Sequence, residues 1–273
     1  MTHFTELLRD RYGDAAPDVP IPDGDFIATL LAHRSVRTYL PDALPAGTLE
    51  TLIAAAQSAS TSSNLQTWSV IAVADPDRKA TLSELAGGQA HIRQCPLFLV
   101  WLTDLARLSY MADQRGLPHA GLDYLEMFLM AAIDAALAAQ NATIAAESLG
   151  LGTVYIGAMR NRPEAVASVL QLPPQVFAVF GLCVGYPDPA RLPAIKPRLP
   201  QAAVLHRETY QLTAQDQAIA TYNDVMKTFY QQQQMAVPGD WTEHSAKRVA
   251  SAESLSGRDR LHSILQQLGF PLL

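Results

Sequence analysis

Leu31-Ala32-His33-Arg34-Ser35-Val36-Arg37-Thr38-Tyr39 ends an apolar stretch in a His-Arg-Ser-x-Arg cluster. Side chains that carry or can carry positive charge, a hydroxyl and a run of backbone N–H groups crowd one short segment. A helix ending near Ser35 would put the cluster at an element boundary, where side chains can converge on one anion. Guanidinium forks suit phosphate because their fixed N–H pairs match two oxygens at once. A helix end decorated with solvated cations has the same sequence and needs no ligand. The rest of the chain separates the two readings.

Outward from this cluster, helical and extended patterns are mixed. Thr48 to Ala59 reads as a helix, with Leu49, Leu52, Ile53 and Ala56 spaced for one face. Trp68 to Val73 reads as a strand, and Asp75-Pro76 then opens a helix with a cap followed by proline at its first position. Leu97-Phe98-Leu99-Val100-Trp101-Leu102 is nearly all apolar, the mark of a strand buried on both faces. Tyr155-Ile156 and Phe177 to Val184 supply two more strands. The longest helix is expected from Gly121 to Leu149, stopped by Gly150. Ala131, Ala132, Ala135, Ala136, Ala138 and Ala139 leave it little bulk, which suits a central helix wrapped by others or by a second subunit. Two further helices, Ala214 to Gln233 and Thr242 to Leu268, finish the chain.

Composition sets limits on partners. At 273 residues the chain holds one large domain or two small ones, and 49% hydrophobic residues suffice for a sizeable core. A net charge of −6 without any Lys/Arg block argues against nucleic acid. Leu122 to Leu149, the longest apolar stretch, is interrupted by Asp123, Glu126, Asp134 and Glu147, which argues against a membrane span. Met1-Thr2-His3-Phe4-Thr5-Glu6 lacks the charged-then-apolar order of an export signal, and Cys95 and Cys183 form no Cys-x-x-Cys pair. A cytoplasmic protein with both thiols packed as small hydrophobes is expected.

Several chemistries lack their residues. No Gly-x-Gly-x-x-Gly follows an early strand, and no Gly-x-x-x-x-Gly-Lys-Ser/Thr loop occurs. The seven histidines are scattered without metal-ligand spacing, so no metal site is expected. Gly-x-Ser-x-Gly is absent as well. A cofactor that carries its own chemistry fits this pattern.

His33-Arg34-Ser35-x-Arg37, Ser60-Thr61-Ser62-Ser63-Asn64-Leu65-Gln66, Gly87-Gly88-Gln89, Ala145 to Gly157 and Lys196-Pro197-Arg198-Leu199-Pro200 occur in that order. In this the chain resembles the nitroreductase superfamily, and within it the group of oxygen-insensitive major nitroreductases and NADPH–flavin reductases. The likeness runs from about Ala32 to Tyr210, with a weaker helical tail containing Asp240-Trp241. It implies an α+β fold with a mostly antiparallel central sheet flanked by helices and a long central helix at a homodimer interface. It also implies an FMN-binding core over residues 1–210 and a helical excursion over 211–273, packed on the core and the partner subunit.

The resemblance implies an NAD(P)H-dependent nitroreductase or flavin reductase, a ping-pong enzyme with FMN as cofactor. NADPH or NADH donates a hydride to flavin N5, and a nitroaromatic, quinone, azo compound or free flavin takes the electrons. No catalytic acid or base is required, since the flavin carries the reaction. His33, Arg34 and Arg198, with the Ser35 hydroxyl, are the expected phosphate ligands. Arg37 and Lys196 are expected at the pyrimidine edge of the ring, where a cation stabilises developing negative charge. Without the resemblance Lys196 reads as a solvated loop lysine, stiffened by Pro193, Pro197 and Pro200.

Thr61, Ser62 and Ser63 would lie along the flavin edge, partly from the opposite subunit; otherwise they make an ordinary serine-rich turn. Gln89 resembles an amide bonding the ribityl chain or ring, and read alone only follows a helix end. Tyr155, Ile156, Gly157 and Ala158 would run backbone along the ring, with Ala158 standing where many relatives have a second glycine. Arg160 is a candidate substrate contact, or a partner for Glu164. The stretch from Arg115 to Gly121 is slightly longer than in relatives. At Gln231 to Pro238 the arginine pair that reads the NADPH 2′-phosphate in relatives is missing. An FMN-binding storage or redox-sensing protein, and a flavin-free helical interaction module, are the alternative readings.

Overall fold

The apolar run beginning at Leu97 becomes an inner strand of a four-stranded antiparallel sheet in the computed structural model, which describes residues 3–16, 22 and 24–273. Met1 and Thr2, which open the segment read as lacking an export signal, lie outside the described residues. Helices and strands follow as α1 (His3–Tyr12), α2 (Asp25–Leu31), α3 (Thr48–Gln57), β1 (Trp68–Val73), α4 (Pro76–Leu85) and α5 (Ala90–Gln94). Then come β2 (Leu97–Asp104), α6 (Ala106–Asp113), α7 (Leu125–Ser148), β3 (Gly152–Ile156), α8 (Pro163–Leu170) and β4 (Val176–Gly185). The chain ends with α9 (Asp216–Gln232), α10 (Trp241–Arg248) and α11 (Leu261–Gln267).

Two compact units form: Met1–Arg34 with Pro193–Leu255, and Ser35–Leu192 with Ser256–Leu273. The first unit has its own apolar cluster, in which Tyr222, Met226, Phe229 and Tyr230 of α9 close on Leu199, Val237 and Trp241. The tail leaves that unit after Leu255, and α11 buries Leu265 with Phe177, Ala131 and Phe270 in the second.

The helix expected from Thr242 to Leu268 is instead two helices, α10 and α11, separated by 3-10 turns. Serines explain the break. The Ser254 hydroxyl bonds the Arg248 and Ser251 carbonyls, competing with helical hydrogen bonds, and Ser256 and Gly257 both take positive φ.

In the second unit the strand order is β1-β2-β4-β3, all antiparallel. Alternation along β2 splits the core into two layers. Phe98, Val100 and Leu102 join Leu82, Ile92, Val154 and Val166 on one face. Leu97, Leu99 and Trp101 join Leu52, Ala138, Ala142 and Ala146 on the other. Cys95 and Cys183, remote in sequence, sit in the first layer as free buried thiols, and Cys95 Sγ donates to the Ile92 carbonyl at 3.4 Å.

Within α7 the residues sort by face. Ala131, Ala135, Ala138, Ala139, Ala142 and Ala146 are fully buried, while Leu125, Leu129, Ile133 and Leu137 form an outward stripe, each at least 44% exposed. By length and hydropathy alone α7 could cross a membrane, yet its alanine face is spent on the protein core. Gly150, at φ +76°, ends the helix as expected, and Leu151 N–H reaches back to the Ala146 carbonyl.

Gly152 opens β3 where another chain segment passes closely. A Cβ there would meet the Val36 side chain at 2.7 Å. Gly152→Ala should therefore push Ser35–Val36 away from β3 and destabilise the fold by about 1–3 kcal/mol. Urea denaturation with an unchanged midpoint would contradict this packing.

Candidate functional site

Of the His-Arg-Ser-x-Arg cluster, His33 and Arg34 belong to the first unit and Ser35 to Arg37 to the second, and each part is described in its own unit. In the second unit Ser35 forms a parallel bridge with Thr153, and Val36 N–H donates to the Thr153 carbonyl at 2.8 Å. The segment thus extends the sheet beside β3, whose C-terminal end carries Tyr155, Ile156, Gly157 and Ala158. The Tyr155 side chain turns toward α7, accepting from the Thr143 hydroxyl at 3.0 Å, and burial pushes its phenol up to about 12. Ile156 and Ala158 are buried. Arg37 is exposed and lies near His91, where burial first and then the Arg37 charge hold the imidazole below its ordinary pKa.

Thr61, Ser62 and Ser63 enter a tight turn that Asp134 holds from the middle of α7. The carboxylate is 2% exposed. It accepts from the Thr61 hydroxyl at 2.5 Å, Ser62 N–H at 3.2 Å, and the Thr67 hydroxyl and N–H at 3.0 and 3.2 Å. Ser63, Asn64 and Gln66 adopt φ of 49°, 55° and 51°. For residues with a Cβ this is stored strain, tolerated where surrounding bonds fix the backbone. Ser62 and Ser63 remain exposed at the tip.

Gln89 caps the start of α5, half-buried, and its side-chain amide donates to the Ala86 carbonyl at 3.0 Å. Arg160 folds back beneath Gly157 and donates to the Val179 carbonyl, not to Glu164. Burial, then the Arg258 charge, lowers its pKa. In the stretch after α6, His119 Nε2 lies 2.8 Å from Asp113 Oδ1, a hydrogen bond that raises the histidine pKa. Tyr110, Leu117 and Tyr124, near it in sequence, are exposed.

In the first unit the remaining candidates gather around one buried side chain. Arg11 of α1, 6% exposed, donates to the carbonyls of Leu31, His33 and Lys196 at 2.7, 2.9 and 2.8 Å. Its own carbonyl accepts from Arg198 N–H at 2.9 Å. Arg34 donates to the Pro193 carbonyl at 3.2 Å. Lys196 and Arg198 are exposed, and the Tyr222 hydroxyl holds the Pro197 carbonyl between them at 2.9 Å. Arg34 also borders a cleft of about 590 Å³, but Asp10, Asp14 and Asp224 on its walls make it a poor seat for phosphate.

Comparison with known proteins gives this arrangement its family. The profile of the Nitroreductase family matches residues 30–186, and that of the Nitroreductase family, C-terminal domain, matches residues 196–273. The chain belongs to the nitroreductase family. An FMN reductase (NADPH) of Bacillus subtilis is 40% identical over 248 residues, 89% of this chain and 97% of that protein. An oxygen-insensitive NADPH nitroreductase of Salmonella typhimurium is 38% identical over 80% of this chain and 88% of its own length. Among solved structures, the NADPH:FMN oxidoreductase from Vibrio harveyi complexed with NAD+ superposes with a TM-score of 0.81 at 33% identity, covering 91% and 99% of the two chains.

The donor set fits FMN in kind. Every cofactor candidate offers a cation, a hydroxyl, an amide or backbone, and none is a carboxylate, as a phosphate and an electron-accepting ring require. Among the described residues no cluster of His, Cys, Asp and Glu could hold a metal.

Sequence reasoning missed Asp134 and Arg11. Asp134 was visible as a carboxylate inside an apolar helix, and Arg11 as a cation on the same face of α1 as Phe4 and Leu7, both buried. Asp134→Ala should leave the Thr67 and Thr61 donors unsatisfied and cost about 2–4 kcal/mol, with Asp134→Asn costing less because one acceptor oxygen remains. Equal unfolding midpoints for wild type and Asp134→Ala would remove Asp134 as the anchor of the turn.

Proposed function

We propose that this chain is an FMN-dependent NAD(P)H oxidoreductase, working by ping-pong electron transfer to nitroaromatics, quinones, azo compounds or free flavin. The observation that carries the reading is the reach of the family match. Its two segments, 30–186 and 196–273, include all the flavin candidates from His33 to Arg198. FMN, when bound, accepts a hydride from the reduced nicotinamide and passes the electrons to the second substrate.

The protein's part is binding and electrostatics. His33, Arg34 and Arg198, with the Ser35 hydroxyl, neutralise the phosphate. Arg37 and Lys196 would sit at the pyrimidine side of the ring, where a cation favours negative charge. Thr61, Ser62, Ser63 and Gln89 offer hydroxyls and amides to the ring edge and ribityl chain. The backbone of Tyr155, Ile156, Gly157 and Ala158 would lie along the ring, and Arg160 would be the substrate contact. Arg37→Ala should lose about 1.5–3 kcal/mol of flavin affinity and slow flavin reduction, a charge-assisted bond's worth. Arg34→Ala and Arg198→Ala should weaken FMN retention with less effect on reduction of bound flavin. Stopped-flow reduction of the reconstituted variants separates these outcomes, and wild-type behaviour of Arg37→Ala removes that residue from the ring.

A homodimer accompanies this reading. The outward Leu125, Leu129, Ile133 and Leu137 stripe on α7 is the kind of face a second copy covers, and obligate interfaces of this type bury roughly 2,000–5,000 Å². The helical segment over 211–273 is proposed to pack on both subunits. Sedimentation should give a dimer at micromolar concentration, and an FMN-loaded monomer contradicts it. The cytoplasm, in keeping with two free cysteines, is the proposed compartment.

Donor choice follows from the loop after α9. Gln231 to Pro238 carries no cation; Lys227 before it, and Lys247 and Arg248 after it, are the cations that could substitute, and of these Arg248 donates to the Ser254 carbonyl at 3.0 Å. Losing one guanidinium–phosphate contact shrinks a preference for NADPH by roughly 10- to 150-fold. NADH should therefore be used at a substantial fraction of the NADPH efficiency. A kcat/KM ratio beyond about 100-fold in favour of NADPH means that another cation reads the phosphate.

A further inference from the structure

Helix α1 lies ahead of residue 30, where the family match begins, yet its one buried arginine grips both segments that carry the phosphate candidates. Arg11 bonds the Leu31 and His33 carbonyls on one side and the Lys196 carbonyl on the other, and its own carbonyl takes Arg198 N–H. These two segments are remote in sequence. A planar guanidinium with several donors is the side chain suited to fixing three carbonyls at once, which a single ammonium cannot do with the same geometry.

We propose that Arg11 is a positioning residue for the flavin phosphate: it ties His33-Arg34 to Lys196-Pro197-Arg198 so that their cations are set before the ligand arrives. The inference rests on the assignment of those cations to the FMN phosphate. Like charges held near one another repel, and without a tie the two segments relax apart and must be re-ordered on binding, which lowers affinity. Tyr222, bonding the Pro197 carbonyl, supports the second segment but does not reach the first through any bond described above. Burial of Phe4 and Leu7 on the same face of α1 fixes the helix from which Arg11 acts.

Riboflavin lacks only the phosphate, so the ratio of FMN to riboflavin affinity isolates the phosphate seat from general stability. The full-length protein, stripped of flavin, is titrated with each by fluorescence. Wild type should prefer FMN strongly. Arg11→Met should lower that preference roughly 10- to 100-fold, the worth of one or two charge-assisted bonds, while leaving riboflavin affinity nearly unchanged. Arg11→Lys should fall between the two. A preserved FMN preference in Arg11→Met overturns the proposal, as does a parallel loss of both affinities, which marks a merely structural role. If Arg11→Met does not fold, Arg11→Lys decides, and a wild-type ratio there overturns the proposal. A wild type with no preference for FMN removes the phosphate assignment itself, a failure distinct from that of Arg11.

Discussion

Alanines along the inner face of α7 let that helix lie close against β2 and α3, and much of the second unit follows from this approach. Larger side chains there would hold the helix off the sheet, opening voids beside Leu99, Trp101 and Leu182, which are fully buried. Close packing also carries Asp134 to within hydrogen-bond reach of Thr61, Ser62 and Thr67. The same rotation leaves Leu125, Leu129, Ile133 and Leu137 pointing outward. One helix therefore completes a core layer, anchors a candidate ligand turn and leaves an apolar stripe exposed.

Rigidity at the candidate residues comes from similar ties elsewhere. Ser63, Asn64 and Gln66 hold left-handed backbone that costs about 1–3 kcal/mol each in isolation. The four Asp134 hydrogen bonds offset that cost and keep the turn in one conformation. Arg11 does the corresponding work for the carbonyls of His33 and Lys196 in the other unit. In both places a buried charge holds the backbone beside candidate ligand residues, Asp134 through hydroxyls and N–H groups and Arg11 through carbonyls.

Regular elements were legible because their signals are local. The run from Trp68 to Val73 is a strand at those residues, Asp75 caps α4 by accepting from Arg78 N–H at 2.7 Å, and Gly150 stops α7. The two-sided burial of β2 was visible in its unbroken apolar run. Motif order revealed the family for the same reason, since each motif is a short contiguous stretch. What sequence did not reveal depends on distant partners. Nothing near Arg11 indicates that Lys196 is its neighbour, nothing near Cys95 points to Cys183, and the split of the last helix depends on serine bonds to backbone that periodicity cannot detect. Nor does any local signal show that α1 and α2 share a compact unit with residues that follow them by more than half the chain.

An oxidoreductase of this kind requires a bound flavin that the nicotinamide can reduce. The most direct measurement is an anaerobic titration of the purified, FMN-reconstituted protein with NADPH, followed by addition of a quinone, reading the visible absorbance of the flavin. We expect stoichiometric bleaching by the donor and full recovery of the spectrum on adding the quinone. A protein that retains no FMN, or whose bound flavin stays oxidised under excess donor, would contradict the assignment.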